Sequence, residues 1–263
     1  STIKTSFRVS CPARPVHVVI AMKDASSTWT FRDALVSSAR NAVKALERLN
    51  LPQLKMALVA SDCTRGSWYG SARTLAPLTD NIGGVEGEIA GLRRQNLNRC
   101  CVDPALIRQA HMLLVQGRGD SDPVNIIVYL SDTFDWMGDG HPCPRNPRDA
   151  VSAARSAKSG GSQIIASCHS DLAWWNQGTV QYPDCPETSF SAVASSLKLY
   201  TANGPRTASP QTFEAMARNI TNGAWSATVA GVDITDTLRA GFALVPGSLR
   251  PRAGVEPATG VIT

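Results

Sequence analysis

Short apolar runs alternate with longer segments of helical periodicity along most of the chain. Residues 16–22, 55–60, 124–130 and 163–167 are mostly apolar and rich in β-branched side chains, which is typical of strands buried on both faces. Apolar residues spaced three or four apart predict helices over residues 31–49, 84–92, 104–115, 147–158 and 210–220. This alternation predicts an α/β fold, with a doubly wound, mostly parallel central sheet and helices on both faces.

The remaining segments suggest how the chain is divided. We expect an N-terminal extension over residues 1–15, one domain over residues 16–245, and a Pro/Gly-rich tail or linker over residues 246–263. Within the domain, a stretch up to Asp80 is expected to be rich in loops, and a long insertion is expected over about residues 168–209. A strand over 224–229 and a helix over 234–244 are expected to close the domain.

Composition and charge restrict the class of function. The chain has 263 residues, of which 43% are hydrophobic and 18% charged, and this is too apolar for a disordered protein. The net charge of +5 comes from Lys and Arg residues that are scattered rather than clustered, so we expect no nucleic-acid partner. No apolar run approaches the roughly 20 residues that a transmembrane helix needs, so we expect no transmembrane segment in this chain.

Cysteine usage indicates an oxidising compartment. The seven cysteines are dispersed, without the paired spacing of a zinc site: Cys11, Cys63, Cys100, Cys101, Cys143, Cys168 and Cys185. We therefore expect disulfides and an extracellular location, on a cell surface, in a matrix or as a secreted protein. The odd number leaves one thiol free or bonded to another chain. Asn219-Ile220-Thr221 is an N-glycosylation sequence, which also predicts an extracellular glycoprotein.

Candidate chemistry stands at the ends of two predicted strands. Asp24 directly follows the first strand and Asp132 follows the central one. Since the carboxyl ends of parallel strands meet at one edge of a sheet, we expect both carboxylates at that edge. Ser26 and Thr28 are spaced so that both hydroxyls can turn toward one point. Carboxylate and hydroxyl oxygens are the ligands that magnesium, manganese and calcium prefer. The alternative is a purely structural role, in which each aspartate only caps the next helix or turn.

These residues resemble a known family. Asp24-Ala25-Ser26-Ser27-Thr28 is similar to the D-x-S-x-S element of the metal-ion-dependent adhesion site in von Willebrand factor A and integrin I domains. Residues 124–132 resemble the strand that delivers the distal aspartate of that site. Residues 213–223 and 233–242 are similar to parts of the family's closing helix–strand–helix. The resemblance covers about residues 16–245.

The resemblance implies an adhesion or ligand-binding module with a divalent cation, Mg²⁺ or else Mn²⁺ or Ca²⁺, held by Asp24, Ser26, Thr28 and Asp132. It implies that an acidic side chain of a protein partner supplies a further oxygen to the ion. The family's separate threonine should align near Cys100, where no hydroxyl residue stands, and Asp103 is close enough to substitute for it. The alternative is a structural subunit of an extracellular filament, wall or matrix, contacting neighbouring subunits through the same fold with a degenerate ion site.

Other motifs change this expectation little. The sequence contains no nucleophile elbow, HExxH pair, phosphate loop or dinucleotide fingerprint, and the four histidines do not have the spacing of a metal site. We therefore expect that the protein is not an enzyme. Arg118-Gly119-Asp120 resembles integrin-recognition sequences of matrix proteins, although such a tripeptide also arises by chance in a Gly-rich turn. Trp174-Trp175 is expected to pack the insertion onto the sheet, helped by a Cys168–Cys185 bridge, or else to contact a partner.

Overall fold

A computed structural model describes most of the chain. The described residues are 2–11, 14–23, 29–62, 70–92, 102–119, 122–131, 136–137, 141–142, 146–169, 191–203, 207–221, 227–237 and 255–257. The strands in chain order are β1 (Thr2–Cys11), β2 (Val16–Met22), β3 (Lys55–Asp62), β4 (Ser71–Thr79), β5 (Val124–Ser131), β6 (Trp136–Met137), β7 (His141–Pro142), β8 (Ser162–Cys168), β9 (Tyr200–Ala202), β10 (Ala227–Thr237) and β11 (Val255–Pro257). The helices are α1 (Trp29–Arg48), α2 (Ile82–Gly91), α3 (Asp103–Gln116), α4 (Asn146–Ser159) and α5 (Pro210–Thr221).

Six strands form the central sheet, in the order β4-β3-β2-β5-β8-β9. β2 pairs in parallel with both β3 and β5, β5 pairs in parallel with β8, and β8 with β9, whereas β4 is antiparallel to β3. The predicted α/β class with a mostly parallel sheet is therefore confirmed. The strands predicted in this sheet and the helices above start and end within two residues of their expected positions.

Helices cover both faces of this sheet. All seven residues of β2 are buried, and because side chains alternate between the two faces of a strand, both faces must be covered. α1 packs against α5 and α2, and α3 packs against α4. α1 buries a stripe that includes Leu35, Val43 and Leu46, and each such side chain stabilises the fold by about 1.5–3 kcal/mol.

One strand lies where loops were expected. β4 falls in the stretch before Asp80, and its residues are mostly exposed or half-buried because it forms an edge of the sheet. It contains Pro77, which an edge strand tolerates because one side of its backbone makes no ladder. Its register with β3 shifts on either side of Leu58. An exposed, irregular strand lacks the apolar run that revealed the buried ones.

A second sheet joins the two ends of the chain. β1 pairs antiparallel with β10 on one side and with β11 on the other. The helix expected from Ile234 onward is wrong over residues 234–237, which continue β10, while residues 238–244 lie outside the described residues. Apolar and β-branched residues at Val229, Val232 and Ile234 fit a strand as well as a helix, and the pairing with β1 decides between them.

Candidate functional site

The four predicted ion ligands lie just beyond the described strand ends. Asp24, Ser26, Thr28 and Asp132 fall outside the described residues, but the residues before the two aspartates, Lys23 and Ser131, are described. In the parallel pairing of β2 with β5, Met22 stands beside Leu130. The backbone N–H of Lys23 donates to the Leu130 carbonyl at 3.0 Å. The polypeptide therefore enters both predicted ligand segments from adjacent positions at the carboxyl edge of the sheet.

A buried carboxylate lies beneath this edge. Asp103, in the first turn of α3, has no exposed surface. Its Oδ1 accepts hydrogen bonds from the hydroxyl of Tyr129 and, at 2.8 Å, from the hydroxyl of Ser131. Its Oδ2 lies 3.7 Å from the ammonium of Lys23, which is also buried. We call Lys23, Asp103, Tyr129 and Ser131 the carboxyl-edge cluster.

Local sequence explains why Asp103 begins α3. Pro104 favours a helix start, because a proline at the first positions removes an N–H that would have no partner in the helix. A carboxylate in the first turn is also stabilised by the positive end of the helix dipole. The sequence offered Asp103 as a substitute for the family's threonine. Its carboxylate instead binds two hydroxyls and an ammonium of its own chain.

Hydrogen bonds extend from the carboxyl-edge cluster to β8 and β9. The backbone N–H of His169 donates to the Ser131 carbonyl at 2.9 Å. The Nδ2 of Asn203 donates to the Ser167 hydroxyl at 2.7 Å, and that hydroxyl lies 2.9 Å from Nε2 of His169. Since Ser167 accepts from Asn203, its own proton is available to His169. Ser167 and His169 are fully buried, and the bond from Asn203 joins the end of β8 to the residue after β9.

Polar side chains also meet at the opposite, amino edge of the sheet. His17 and Asn125 stand side by side on β2 and β5, and both are buried. His17 Nδ1 and Asn125 Oδ1 have no hydrogen-bond partner in the described part of the chain. Burial, and then the charge of Lys55, lowers the pKa of His17 below 6.5.

His111 lies in the same region of the fold. Its Nδ1 lies 2.9 Å from the hydroxyl of Ser162, the residue paired with Asn125 across the sheet. Burial, and then the charge of Arg118, lowers the pKa of His111 below 6.5. Both histidines are therefore held toward their neutral forms.

The Arg118-Gly119-Asp120 tripeptide follows α3. The guanidinium of Arg118 donates a hydrogen bond to the carbonyl of Gly160, at the end of α4. Gly119 has a left-handed backbone, with φ of 52°, and Asp120 lies outside the described residues. The arginine thus binds within its own chain, which opposes its use as a receptor contact.

The Asn219-Ile220-Thr221 sequence lies on the last turn of α5. Asn219 is exposed and borders a groove of about 560 Å³ at the amino edge, together with Gln163 and Lys198. Thr221 is buried, and its hydroxyl donates to the Ala217 carbonyl at 2.9 Å. The threonine of the triplet is therefore part of the helix packing.

Cys168, at the end of β8, is bonded in a disulfide. Cys185 and Trp174-Trp175 lie outside the described residues, so the proposed Cys168–Cys185 bridge and the role of the tryptophans stay predictions. Within the described ranges, no three His, Cys, Asp or Glu side chains are grouped so that they could hold a metal ion. No described helix is long and apolar enough to cross a membrane.

No protein-family profile matches the sequence, and a sequence comparison with curated proteins gives no match. Solved structures do resemble it. One is the von Willebrand factor domain of the type V pili tip protein Mfa5 from Porphyromonas gingivalis, with a TM-score of 0.56, 14% identity, and coverage of 84% of this chain and 99% of that chain. A second is the pilus adhesin SpaC from Lactobacillus rhamnosus GG in its open conformation, with a TM-score of 0.54, 12% identity and coverage of 85% and 32%.

A third similar structure is proximal thread matrix protein 1 from the mussel byssus, with a zinc-occupied metal-ion-dependent adhesion site. Its TM-score is 0.51 at 14% identity, and the match covers 88% of this chain and 50% of that one. The chain thus spans 32% of the SpaC chain and 50% of the matrix protein. At identities this low, the likeness establishes the fold alone. The family resemblance carried by the motifs is confirmed at that level.

Proposed function

We propose that this chain, whose fold is that of von Willebrand factor A domains, is an extracellular protein-binding module. In this proposal its carboxyl edge holds a divalent cation through Asp24, Ser26, Thr28 and Asp132. The observation that carries the proposal is the bond between Lys23 and Leu130, because it brings the chain into both ligand segments from neighbouring positions. The pilus adhesin and the pilus tip protein among the similar structures support a binding role.

The proposed ion is Mg²⁺, with Mn²⁺ and Ca²⁺ as alternatives, since the candidate ligands are all hard oxygen atoms. When bound, the ion supplies an open coordination position that accepts a carboxylate oxygen from the partner. The chain's own residues bring β2 and β5 side by side, so that both ligand segments begin at one edge of the sheet. No covalent chemistry is required of any side chain, and the buried Ser167–His169 pair is not needed for this function.

A melting experiment tests the ion site. An ion that binds only the folded chain raises its stability by RT ln(1 + [L]/Kd), which is about 2.7 kcal/mol at a hundredfold excess over Kd. We expect the Tm to rise in millimolar Mg²⁺ or Mn²⁺ relative to chelator, and the rise to disappear in Asp24→Ala. A wild-type Tm that is the same with metal and with chelator would exclude the ion site.

A second candidate is a structural subunit of an extracellular filament, wall or matrix with a degenerate ion site. The carboxylate of Asp103 favours it, because it is bound by Lys23, Tyr129 and Ser131 rather than standing ready to replace the family's threonine. The matrix protein among the similar structures supports the role in a matrix, but not the loss of the ion site, because its own adhesion site holds zinc. This candidate predicts no metal effect on Tm but concentration-dependent self-association, which analytical ultracentrifugation measures in metal and in chelator.

A further inference from the structure

We propose that Asp103 is a positioning residue, which holds the ends of β2 and β5 in place beneath the carboxyl edge without requiring a divalent ion. Its contacts reach the residues that immediately precede the two predicted aspartate ligands: Lys23 before Asp24 and Ser131 before Asp132. One carboxylate, carried by α3, therefore joins two strand ends. The part of this inference that concerns metal affinity rests on the proposed function, whereas the part that concerns the strand ends does not.

Charge and burial make this contact specific. A buried ammonium needs a compensating charge, because water cannot solvate it, and Asp103 supplies that charge at Lys23. The hydroxyls of Tyr129 and Ser131 donate to the other carboxylate oxygen. An asparagine at position 103 would keep the shape but remove the charge, and its amide N–H₂ group is a donor that cannot accept from the ammonium.

The consequence is that an ammonium group of the chain itself, rather than a bound metal ion, holds the carboxyl edge together. Lys23 already provides positive charge to Asp103, so the ends of β2 and β5 stay in register with no metal present. Amide exchange measures this directly, because the N–H of Lys23 bonds to Leu130 and the N–H of His169 bonds to Ser131. Two amides at the amino edge serve as internal references, those of Val16 and Val124, which bond to the carbonyls of Pro52 and Pro15.

The test is residue-resolved deuterium exchange by NMR in chelator, on wild type, Asp103→Asn and a control variant, Asp122→Asn. The control removes the same charge from an exposed aspartate that pairs with Arg14 away from the cluster. We expect the amides of Lys23 and His169 to exchange about tenfold faster in Asp103→Asn through local opening, while those of Val16 and Val124 keep their rates. Asp122→Asn should match wild type at all four.

If Asp103→Asn does not fold, a less disruptive variant allows the same test. Ser131→Ala removes one of the donors to Asp103, and we expect it to speed exchange at Lys23 and His169 by about threefold with unchanged rates at the amino edge. Unchanged exchange at Lys23 and His169 in the folded variants would overturn the inference. Equal acceleration at both edges would overturn it too, since that is a global loss of stability.

Manganese titration separates this inference from the proposed function. If wild type binds Mn²⁺, Asp103→Asn should weaken the affinity by about 10–100-fold, as for other residues that orient metal ligands, and Asp122→Asn should leave it unchanged. Wild-type affinity retained in Asp103→Asn would show that Asp103 does not position the ligands. If wild type binds no Mn²⁺ yet exchange accelerates locally in Asp103→Asn, the ion site fails and the positioning role stands.

Discussion

The two edges of the central sheet both carry buried polar side chains, but they differ in how completely those groups are partnered. At the carboxyl edge, Oδ1 of Asp103 accepts hydrogen bonds from Tyr129 and Ser131, and Oδ2 forms an ion pair with Lys23. At the amino edge, His17 Nδ1 and Asn125 Oδ1 are buried without a partner in the described part of the chain. A fully bonded polar cluster fixes geometry, whereas an unpartnered polar atom only reduces stability.

This difference suggests that the positions of side chains are fixed more tightly at the carboxyl edge than at the amino edge. The carboxyl edge leads into the predicted ligand segments, and its polar groups connect one helix, α3, with the ends of four strands, β2, β5, β8 and β9. The amino edge borders a groove, and two of its buried polar atoms lack a partner among the described residues. Variants that remove charged or polar groups at each edge therefore test whether the two edges differ in this way.

The largest effect is expected from Lys23→Met, which keeps the aliphatic stem and removes the ammonium. Asp103 would then remain buried without the ammonium of Lys23 beside it. We expect the free energy of unfolding to fall by about 3–5 kcal/mol, as when one member of a buried ion pair is removed. Urea denaturation measures it. Arg14→Met is the control, because the exposed Arg14–Asp122 pair should contribute less than about 1 kcal/mol.

A double variant sharpens this result. Lys23→Met combined with Asp103→Asn removes both charges, so it should be more stable than the sum of the two single changes implies. Additive effects would mean that the two groups do not interact across the 3.7 Å between them.

An intermediate effect is expected from pH. The folded chain lowers the pKa of His17 and of His111 below 6.5, so the unfolded chain binds more protons as the pH falls through that value. The stability that comes from keeping these rings neutral is therefore complete above pH 6.5 and is lost below it. Unfolding free energies measured from pH 7.5 to pH 5 should decrease, and His17→Gln should flatten the dependence. A slope that is unchanged in this variant would contradict the assignment.

The smallest effect is expected from Asn125→Leu, which replaces a buried side chain by an apolar one of similar size. Since Asn125 Oδ1 has no partner among the described residues, no hydrogen bond to that atom is lost. We expect the free energy of unfolding to change by less than about 1 kcal/mol or to rise. A clear loss of stability in the same urea experiment would show that the amino edge is as well bonded as the carboxyl edge.

Much of the central sheet could be predicted from the sequence, and much of the polar network could not. β2 and β5 were predicted because all of their residues except Val124 are buried, and the apolar run in the sequence reflects this burial. β4 was missed because an edge strand lacks that run. The Tyr129–Asp103 and Ser131–Asp103 bonds join residues 26 and 28 positions apart, so no local spacing reveals them. The only hint in the sequence is that two polar residues, Tyr129 and Ser131, stand two positions apart on a buried strand.

The sequence alone determined the local elements, since apolar periodicity acts over a few neighbouring residues and decides which face of each helix or strand leaves water. It also determined that two aspartates follow buried strands. Tertiary structure decided which distant groups meet: that Asp103 binds Lys23 rather than solvent, that Arg118 binds the end of α4, and that β10 pairs with β1. Those contacts depend on how the packed helices and strands are arranged in space. The local spacing of apolar and polar residues along the chain does not specify that arrangement.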